Sequence, residues 1–319
     1  MPNKKFILRL FFSLLPAFIF PADIFHFDVS AFSGVRSGSI TKSIYLENTD
    51  TKVSRLDWEE KPVFLAGLKT DFTIWKFESD FRFSFGFPLS CGSMYDSDWN
   101  LDGIKKTYTI SECNILQNFD ASINLSFHTP EFSAFRIDPS IEIQYLFKNF
   151  KAHDGYGWYG GQEHAKIPRD YDVAWDDPLA RKAKKIRDID YYRHTVLTFF
   201  GVKGTFFASQ KLKFQAEFFI SPFSYNYSLD THYRSEENTH YLDIQTGCFT
   251  KYKINLKSQY KLNRYFAVFT DVSILSGKEE YGDLYSDVYS DNLTKFSSQP
   301  TGSSMYSVEF NAGIKFFVK

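Results

Sequence analysis

Alternation of apolar and polar residues, repeated in segments along the whole chain, constrains its fold more than any other feature. In FESDFRFSFGFPLS, six odd positions from Phe77 to Leu89 are apolar, while the even positions from Glu78 to Gly86 are charged or small. Residues 118–127, 211–220 and 305–318 repeat the pattern. Because successive side chains of a strand point to opposite faces, each segment predicts a strand with one apolar and one polar face.

The lengths of the links between these segments indicate whether the apolar faces pack on a second sheet or face lipid. Short links near residues 70–73, 128–133, 208–211 and 262–265 alternate with long polar links near 38–55, 90–107, 151–187, 229–241 and 276–304. Short turns on one side and long loops on the other are typical of an outer-membrane barrel, whereas a secreted β-sandwich is the alternative. The pattern predicts an all-β fold, a ten-stranded antiparallel transmembrane β-barrel with five long outer loops and short periplasmic turns. The last strand is expected to close on the first, because an open edge would leave backbone groups unpaired in lipid.

The N-terminus predicts export. Lys4, Lys5 and Arg9 precede an apolar run that ends at Phe20, and Ala22 follows it. This is the pattern of a signal peptide, predicted over residues 1–22, although a short core helix would also fit it. Residues 23–319 then form a single barrel domain, in which no apolar stretch is long enough for a transmembrane helix. A net charge of −1 gives no nucleic-acid footprint.

Three cysteines are too few for a disulfide framework in an exported chain of this size. Cys91 and Cys113 flank one long loop and could bridge its two strands, which would leave Cys248 free. Buried thiols are the alternative, and the sequence leaves both readings open.

The stretch SMYDSDWNLDG, residues 93–103, places oxygen ligands on alternate positions. A calcium loop beginning at Asp96 would need Gly at its sixth position and Glu at its twelfth, where Leu101 and Thr107 stand. What remains is the pair Asp96 and Asp98, which share one face of an extended chain and are expected to point into the lumen. Two close carboxylates repel each other, so that one tends to hold a proton or both share a water molecule.

A second long loop contains SLDTHYRSEENTHY. Asp230 and His232 are two residues apart and are expected to share a face, where the carboxylate can orient the imidazole and stabilise its charged form. That arrangement suits a general base. His240 stands in a similar Thr-His-Tyr sequence, but Asn238 replaces the acid, so His232 is the better candidate.

Together these stretches resemble the omptins, a family of ten-stranded outer-membrane endopeptidases. The similarity rests on DSDW and DTHY in two outer loops, on KVSRLDW at residues 52–58 and on NAGIKFF at residues 311–317, in that order. The resemblance implies that Asp230 and His232 activate a water molecule while Asp96 and Asp98 hold that water opposite them. It implies no cofactor, no metal and no covalent intermediate.

The resemblance also implies a place in the cell and a set of partners. The chain is expected in the outer membrane, with its active site facing the exterior. Its expected partners are peptide or protein substrates at the cell surface and outer-membrane lipid, with no nucleic acid, and we expect a monomer.

Two positions of this chain depart from the family pattern in the substrate pocket, and a third is the one family lipid contact that it matches. Omptins that cut beside Arg or Lys carry acids in the substrate pocket, where Ser228 and Lys42 stand in this chain. Specificity for basic residues is therefore not expected. The family's lipid-binding stretch is replaced by IQYLF at residues 143–147, which leaves Arg193 as a candidate lipid contact.

Two further functions fit such a barrel. One is an adhesin or surface-binding protein that keeps the scaffold without the activity. The other is a small porin, but ten strands enclose a narrow interior that side chains would fill. Retention of all four acid and base positions favours the enzyme.

Overall fold

The computed structural model describes residues 25–46, 49–161, 172–186, 188–233, 238–288, 292–295 and 300–318. The predicted signal peptide lies outside these residues. No helix in the described ranges is long and apolar enough to cross a membrane.

Fifteen strands form one antiparallel sheet. Their bounds are β1 (Phe25–Tyr45), β2 (Lys52–Ile74), β3 (Phe77–Gly86), β4 (Leu89–Trp99), β5 (Lys105–Phe127), β6 (Phe135–Tyr159), β7 (Arg181–Ile186), β8 (Ile189–Phe207), β9 (Leu212–His232), β10 (Thr239–Gly247), β11 (Lys251–Lys261), β12 (Phe266–Gly277), β13 (Glu280–Ser286), β14 (Thr294–Lys295) and β15 (Thr301–Val318).

The sheet closes into a barrel of ten long strands. Three of the ten barrel strands are interrupted, and each consists of two of the strands named above: β3 with β4, β10 with β11, and β12 with β13. In each case one neighbouring strand pairs with both halves. β7 and β14 are short additions paired with β6 and β13. β1 pairs with both β2 and β15, so Phe27 lies opposite Phe72 on one side and Val318 on the other. The predicted ten-stranded closed barrel is confirmed, and the β-sandwich alternative is excluded.

The outer face of the barrel carries an apolar band. The odd residues predicted to be apolar in β3 all point outward and are exposed, with Phe77 and Phe83 45% and 39% accessible. The band reaches from the short turns to Val35 on β1, Phe64 on β2 and Phe223 on β9. Such a surface is stable only in lipid, and it marks the membrane-spanning part of the barrel.

Three of the four predicted short turns are confirmed, and one is wrong. Residues 128–134, 208–211 and 262–265 separate successive strands, but residues 70–73 lie inside β2, whose turn is at Trp75 and Lys76. The predicted long loops are also shorter than expected, because the strands continue above the apolar band. On that stretch the outward side chains face water and need not be apolar, so the alternation that marks a membrane strand disappears.

The interior consists of layers. At membrane level it contains ion pairs, among them Arg36 with Asp120 and Glu309. Above them lies an apolar layer in which the Trp58 ring stacks on Tyr191, with the ring centroids 5.2 Å apart. Cys91 and Cys113 belong to this layer as buried free thiols, with their Sγ atoms 3.3 Å apart. The apolar layer is the floor of the outer mouth.

Candidate active site at the outer mouth

Two strands on opposite sides of the barrel bring the four candidate residues to the outer mouth. Asp96 and Asp98 lie on β4, and Asp230 and His232 lie on β9. They are on paired strands rather than in the loops that the sequence indicated. Phe223, at the edge of the apolar band, is seven residues below Asp230. At 3.3 Å per residue and a tilt of about 40°, this places the site about 15–20 Å above the lipid edge.

Asp230 and His232 form a contact on the inner face of β9. The His232 Nε2 atom is 3.3 Å from Asp230 Oδ1. The Asp230 side chain is 1% exposed, whereas that of His232 is 26% exposed. A molecule in the mouth can therefore reach the imidazole but not the carboxylate behind it.

Asp96 and Asp98 are half-buried and close enough to both β9 residues for their charges to interact. Burial raises the pKa of Asp96 well above its ordinary value, and the charges of Asp98 and Asp230 raise it further. Burial also raises the pKa of Asp98, although a hydrogen bond with Ser54 and the charge of His232 act against it. The three acids thus favour a proton on Asp96.

Lys42 and Ser228, the predicted pocket residues, lie beneath Asp230. The Lys42 ammonium forms an ion pair with Asp230 and a second, 2.6 Å long, with Asp243 of β10. Its side chain is 1% exposed, and Ser228 Oγ donates a hydrogen bond of 3.3 Å to Asp243. The expectation that Lys42 meets the substrate as an exposed cation is corrected, because two carboxylates bury and neutralise it.

These ion pairs set the protonation of the acids. Burial raises the pKa of Asp230, but Lys42 and His232 outweigh it, so the pKa falls below its ordinary value. For Asp243, burial dominates and raises the pKa, Lys42 lowers it, and Asp230 raises it. Of the two acids, Asp230 therefore ionises at the lower pH, and it is the one beside the histidine.

The predicted lipid contact of Arg193 is wrong. Arg193 points into the barrel, where it is 1% exposed and donates hydrogen bonds to Asn226 at 2.7 Å and to Ser303. The inner face of β8 carries it because residues 191, 193 and 195 alternate with the outward positions. It cannot reach lipid from there.

His240 faces away from the site. It lies on the outer side of β10, and its Nδ1 atom is 2.6 Å from Asp287 Oδ2. Asp287 supplies the acid that Asn238 could not. The second Thr-His-Tyr sequence therefore holds a histidine and carboxylate pair on the outer wall.

Three residues near the site were not predicted from the sequence. Asp243 and Tyr241 alternate on the inner face of β10, and the Tyr241 ring is 5.1 Å from that of His232. Tyr159 ends β6, and burial together with the charges of Asp96 and Asp98 raises its pKa to about 12. The alternation in THYLDIQ indicates that Tyr241 and Asp243 share one face of a strand, but it does not show whether that face points into the lumen.

The Asn100 side chain closes the turn that follows the acidic pair. Its Oδ1 atom accepts hydrogen bonds from the backbone N–H groups of Asp102 and Ile104, at 3.1 and 2.9 Å. Gly103 has a φ of 77°, which glycine adopts without strain. Asn100 and Asp102 belong to the turn, and only Asp96 and Asp98 face the mouth.

Fold and site together define an outer-membrane β-barrel with a cluster of three acids and a histidine at its outer mouth. The family model of the omptins matches residues 24–318 of the sequence. The chain belongs to the omptin family. It is therefore an outer-membrane protease with its active site facing the exterior.

Among solved structures, the similarity to an outer membrane protease supports this fold. The outer membrane protease OmpT from Escherichia coli is similar with a TM-score of 0.77, at 16% identity over 92% of this chain and 97% of that one. OprG from Pseudomonas aeruginosa gives a TM-score of 0.34 at 10% identity, over 92% and 95% of the two chains. The translocator domain of NalP from Neisseria meningitidis gives 0.36 at 8% identity, over 98% and 95%. No curated protein matches the sequence.

Proposed function

We propose that the chain is an endopeptidase that hydrolyses peptide bonds by direct attack of a water molecule. Asp230 and His232 act as the base, and Asp96 and Asp98 hold the water and the developing tetrahedral intermediate from the opposite wall. The observation that carries the proposal is the meeting of these two pairs across the outer mouth, where His232 is reachable and Asp230 is not.

The chemistry of the four groups supports this assignment. The reaction needs a base for the water proton, and His232 gains an ionised carboxylate behind it that stabilises the imidazolium. The attacked carbonyl develops negative charge, and a protonated Asp96 can donate a hydrogen bond to it. The imidazolium then returns its proton to the leaving amine, so that the site ends in its initial state.

The test is cleavage of a peptide library by the refolded barrel. Removing the base in Asp230→Asn and His232→Ala is expected to lower kcat/KM about 10²- to 10⁴-fold. The matched control is His240→Ala, which removes a histidine and carboxylate pair from the outer wall. Its activity should stay within about twofold of the parent. Equal activity of the parent and both site variants would overturn the assignment and favour a barrel that only binds.

We also propose that this protease prefers a residue other than Arg or Lys at the cleaved bond. Two observations support this proposal: Ser228 stands where an acid is expected, and Asp230 and Asp243 already share the Lys42 ammonium. A basic side chain would find these acids buried and already paired with an ammonium. Sequencing the products of the same library measures which residues are preferred at the cleaved bond. Dominant cleavage beside Arg or Lys would contradict the proposal.

A further inference from the structure

Three charged side chains are buried together under the site. Lys42 comes from β1, Asp230 from β9 and Asp243 from β10, and their side chains are 1%, 1% and 0% exposed. Two carboxylates and one ammonium leave a formal charge of −1. Because a buried ion pair must offset a large desolvation cost, burial of these charges contributes little net stability.

The triad divides the oxygens of Asp230. Lys42 contacts Oδ2, whereas Oδ1 is the atom that lies 3.3 Å from His232 Nε2. With one oxygen held by the ammonium, the carboxylate keeps the other directed at the imidazole. Lys42 thus fixes the orientation of the acid that orients the base.

Lys42 alone would also weaken the stabilisation that Asp230 gives to the protonated His232 ring. An ammonium in contact with Asp230 cancels most of the negative charge that His232 needs when it takes up a proton. Asp243 offsets this by contacting the same ammonium at 2.6 Å. The Asp243 carboxylate is fully buried and also accepts a hydrogen bond of 3.3 Å from Ser228 Oγ, so it is held against the ammonium.

We propose that Lys42 and Asp243 are positioning residues for the Asp230 and His232 base: Lys42 fixes the Asp230 carboxylate, and Asp243 restores the negative charge that Lys42 removes. The inference rests on the proposed function of Asp230 and His232. It assigns to Asp243 a role that its sequence position does not indicate.

Other groups also face His232, and they stay constant in the experiment. β4 presents Asp98 with Asp96 beside it, and β10 presents the Tyr241 ring. β8 lies alongside β9, with uncharged Ile189 opposite His232, and Tyr159 of β6 faces the acid pair. Differences among variants at residues 42 and 243 therefore report on the triad.

The test compares Lys42→Met, Asp243→Asn and the double variant. Only neutral His232 can accept a proton, so the acidic limb of kcat/KM follows the protonation of its ring. Loss of the cation favours the imidazolium and should move this limb up by about one pH unit, whereas loss of the anion should move it down by a similar amount. The double variant restores a charge of −1 and should return to within about 0.3 of a pH unit of the parent.

The titration of the His232 ring, followed by NMR in labelled protein, gives a readout independent of rate. Its signal is assigned by its loss in His232→Ala, and His240 on the outer wall serves as the internal reference. The ring midpoints should move in the same opposite directions as the rates. If Lys42→Met does not refold, Asp243→Asn and the double variant still give the downward shift and its reversal.

Two outcomes are distinct failures. If the single variants move the limb and the ring midpoint in the same direction, or not at all, the triad is only structural and the inference is wrong. If instead the parent cleaves no peptide, the proposed function fails, while the ring midpoints still decide whether Lys42 and Asp243 act on His232.

Discussion

Asp96 and Asp98 occupy similar places on β4 but have different neighbours, so their replacement should not be equivalent. Asp98 and Asp230 favour a proton on Asp96, whereas the charge of His232 favours ionised Asp98. Asn resembles a protonated acid, so Asp96→Asn should cost about tenfold in kcat/KM and Asp98→Asn about a hundredfold or more. Steady-state cleavage at neutral pH measures both. The reverse order would mean that the proton resides on Asp98.

The raised pKa of Asp96 also predicts an effect on stability. Because the folded state holds this proton more tightly than the unfolded chain, stability falls as the pH rises from about 4 through the raised pKa. Asp96→Asn removes this loss and its repulsion with Asp98 and Asp230. The variant should be more stable than the parent by on the order of 1 kcal/mol at neutral pH and equal to it near pH 3.

Urea unfolding at both pH values measures that difference. Asp57→Asn is a suitable control, because Asp57 lies on the outer side of β2 in contact with Arg55. Its replacement removes an acid of the same type away from the three that repel one another. A gain in stability for Asp96→Asn that is the same at pH 3 and pH 7 would show that charge is not the cause.

The contrast between Asp230 and Lys42 shows how much of the site could be predicted from the sequence. Asp230 and His232 are two residues apart, so local geometry alone places them on one face. The contact between Lys42 and Asp230 joins residues 188 positions apart. Whether a lysine at such a position is exposed or buried depends on the closure of the barrel, and no local pattern contains that information. The inward direction of Arg193 was missed for the same reason.

At the level of strands, Trp58 is the centre of the floor on which the site lies. Its ring is fully buried between Tyr191 and Phe150, with centroids 5.2 and 5.7 Å away, and its Nε1 atom has no hydrogen-bond partner among the described residues. Trp58→Ala should cost about 3–5 kcal/mol of stability through the cavity that it leaves. Trp58→Phe keeps an aromatic ring and should cost about 1 kcal/mol. Urea unfolding of the two variants checks this order.

The same strands explain which elements the sequence predicted. Within the apolar band the outward residues must be apolar, so β3 and β15 show their alternation clearly. Above the band, the two acids of β4 alternate with Tyr95, Ser97 and Trp99, and the sequence there resembles a loop. The predicted loops were too long because water, unlike lipid, leaves the outward side chains of a strand unconstrained.

For the whole molecule, the order of layers along the barrel axis separates the membrane from the chemistry. At membrane level a polar cavity is lined by Lys69, Asp80, Glu217 and other charged residues. The apolar layer around Trp58 and Phe150 covers it on the outer side. The site above this floor is open to the exterior, so a peptide can reach the base without entering the barrel.

This arrangement predicts that the barrel does not conduct ions, which separates it from a small porin. An ion that entered from the periplasmic side would have to pass between the packed, buried rings of Trp58, Phe150 and Tyr191, where it would lose its water. In a planar bilayer at 1 M KCl the reconstituted protein should show no steps above baseline, while the same preparation cleaves peptide. Trp58→Ala is the matched variant, since it removes the largest side chain of the floor and should allow brief openings. Regular conductance steps from the parent would mean that the floor opens in the membrane, and the outer mouth would then be the entrance to a pore.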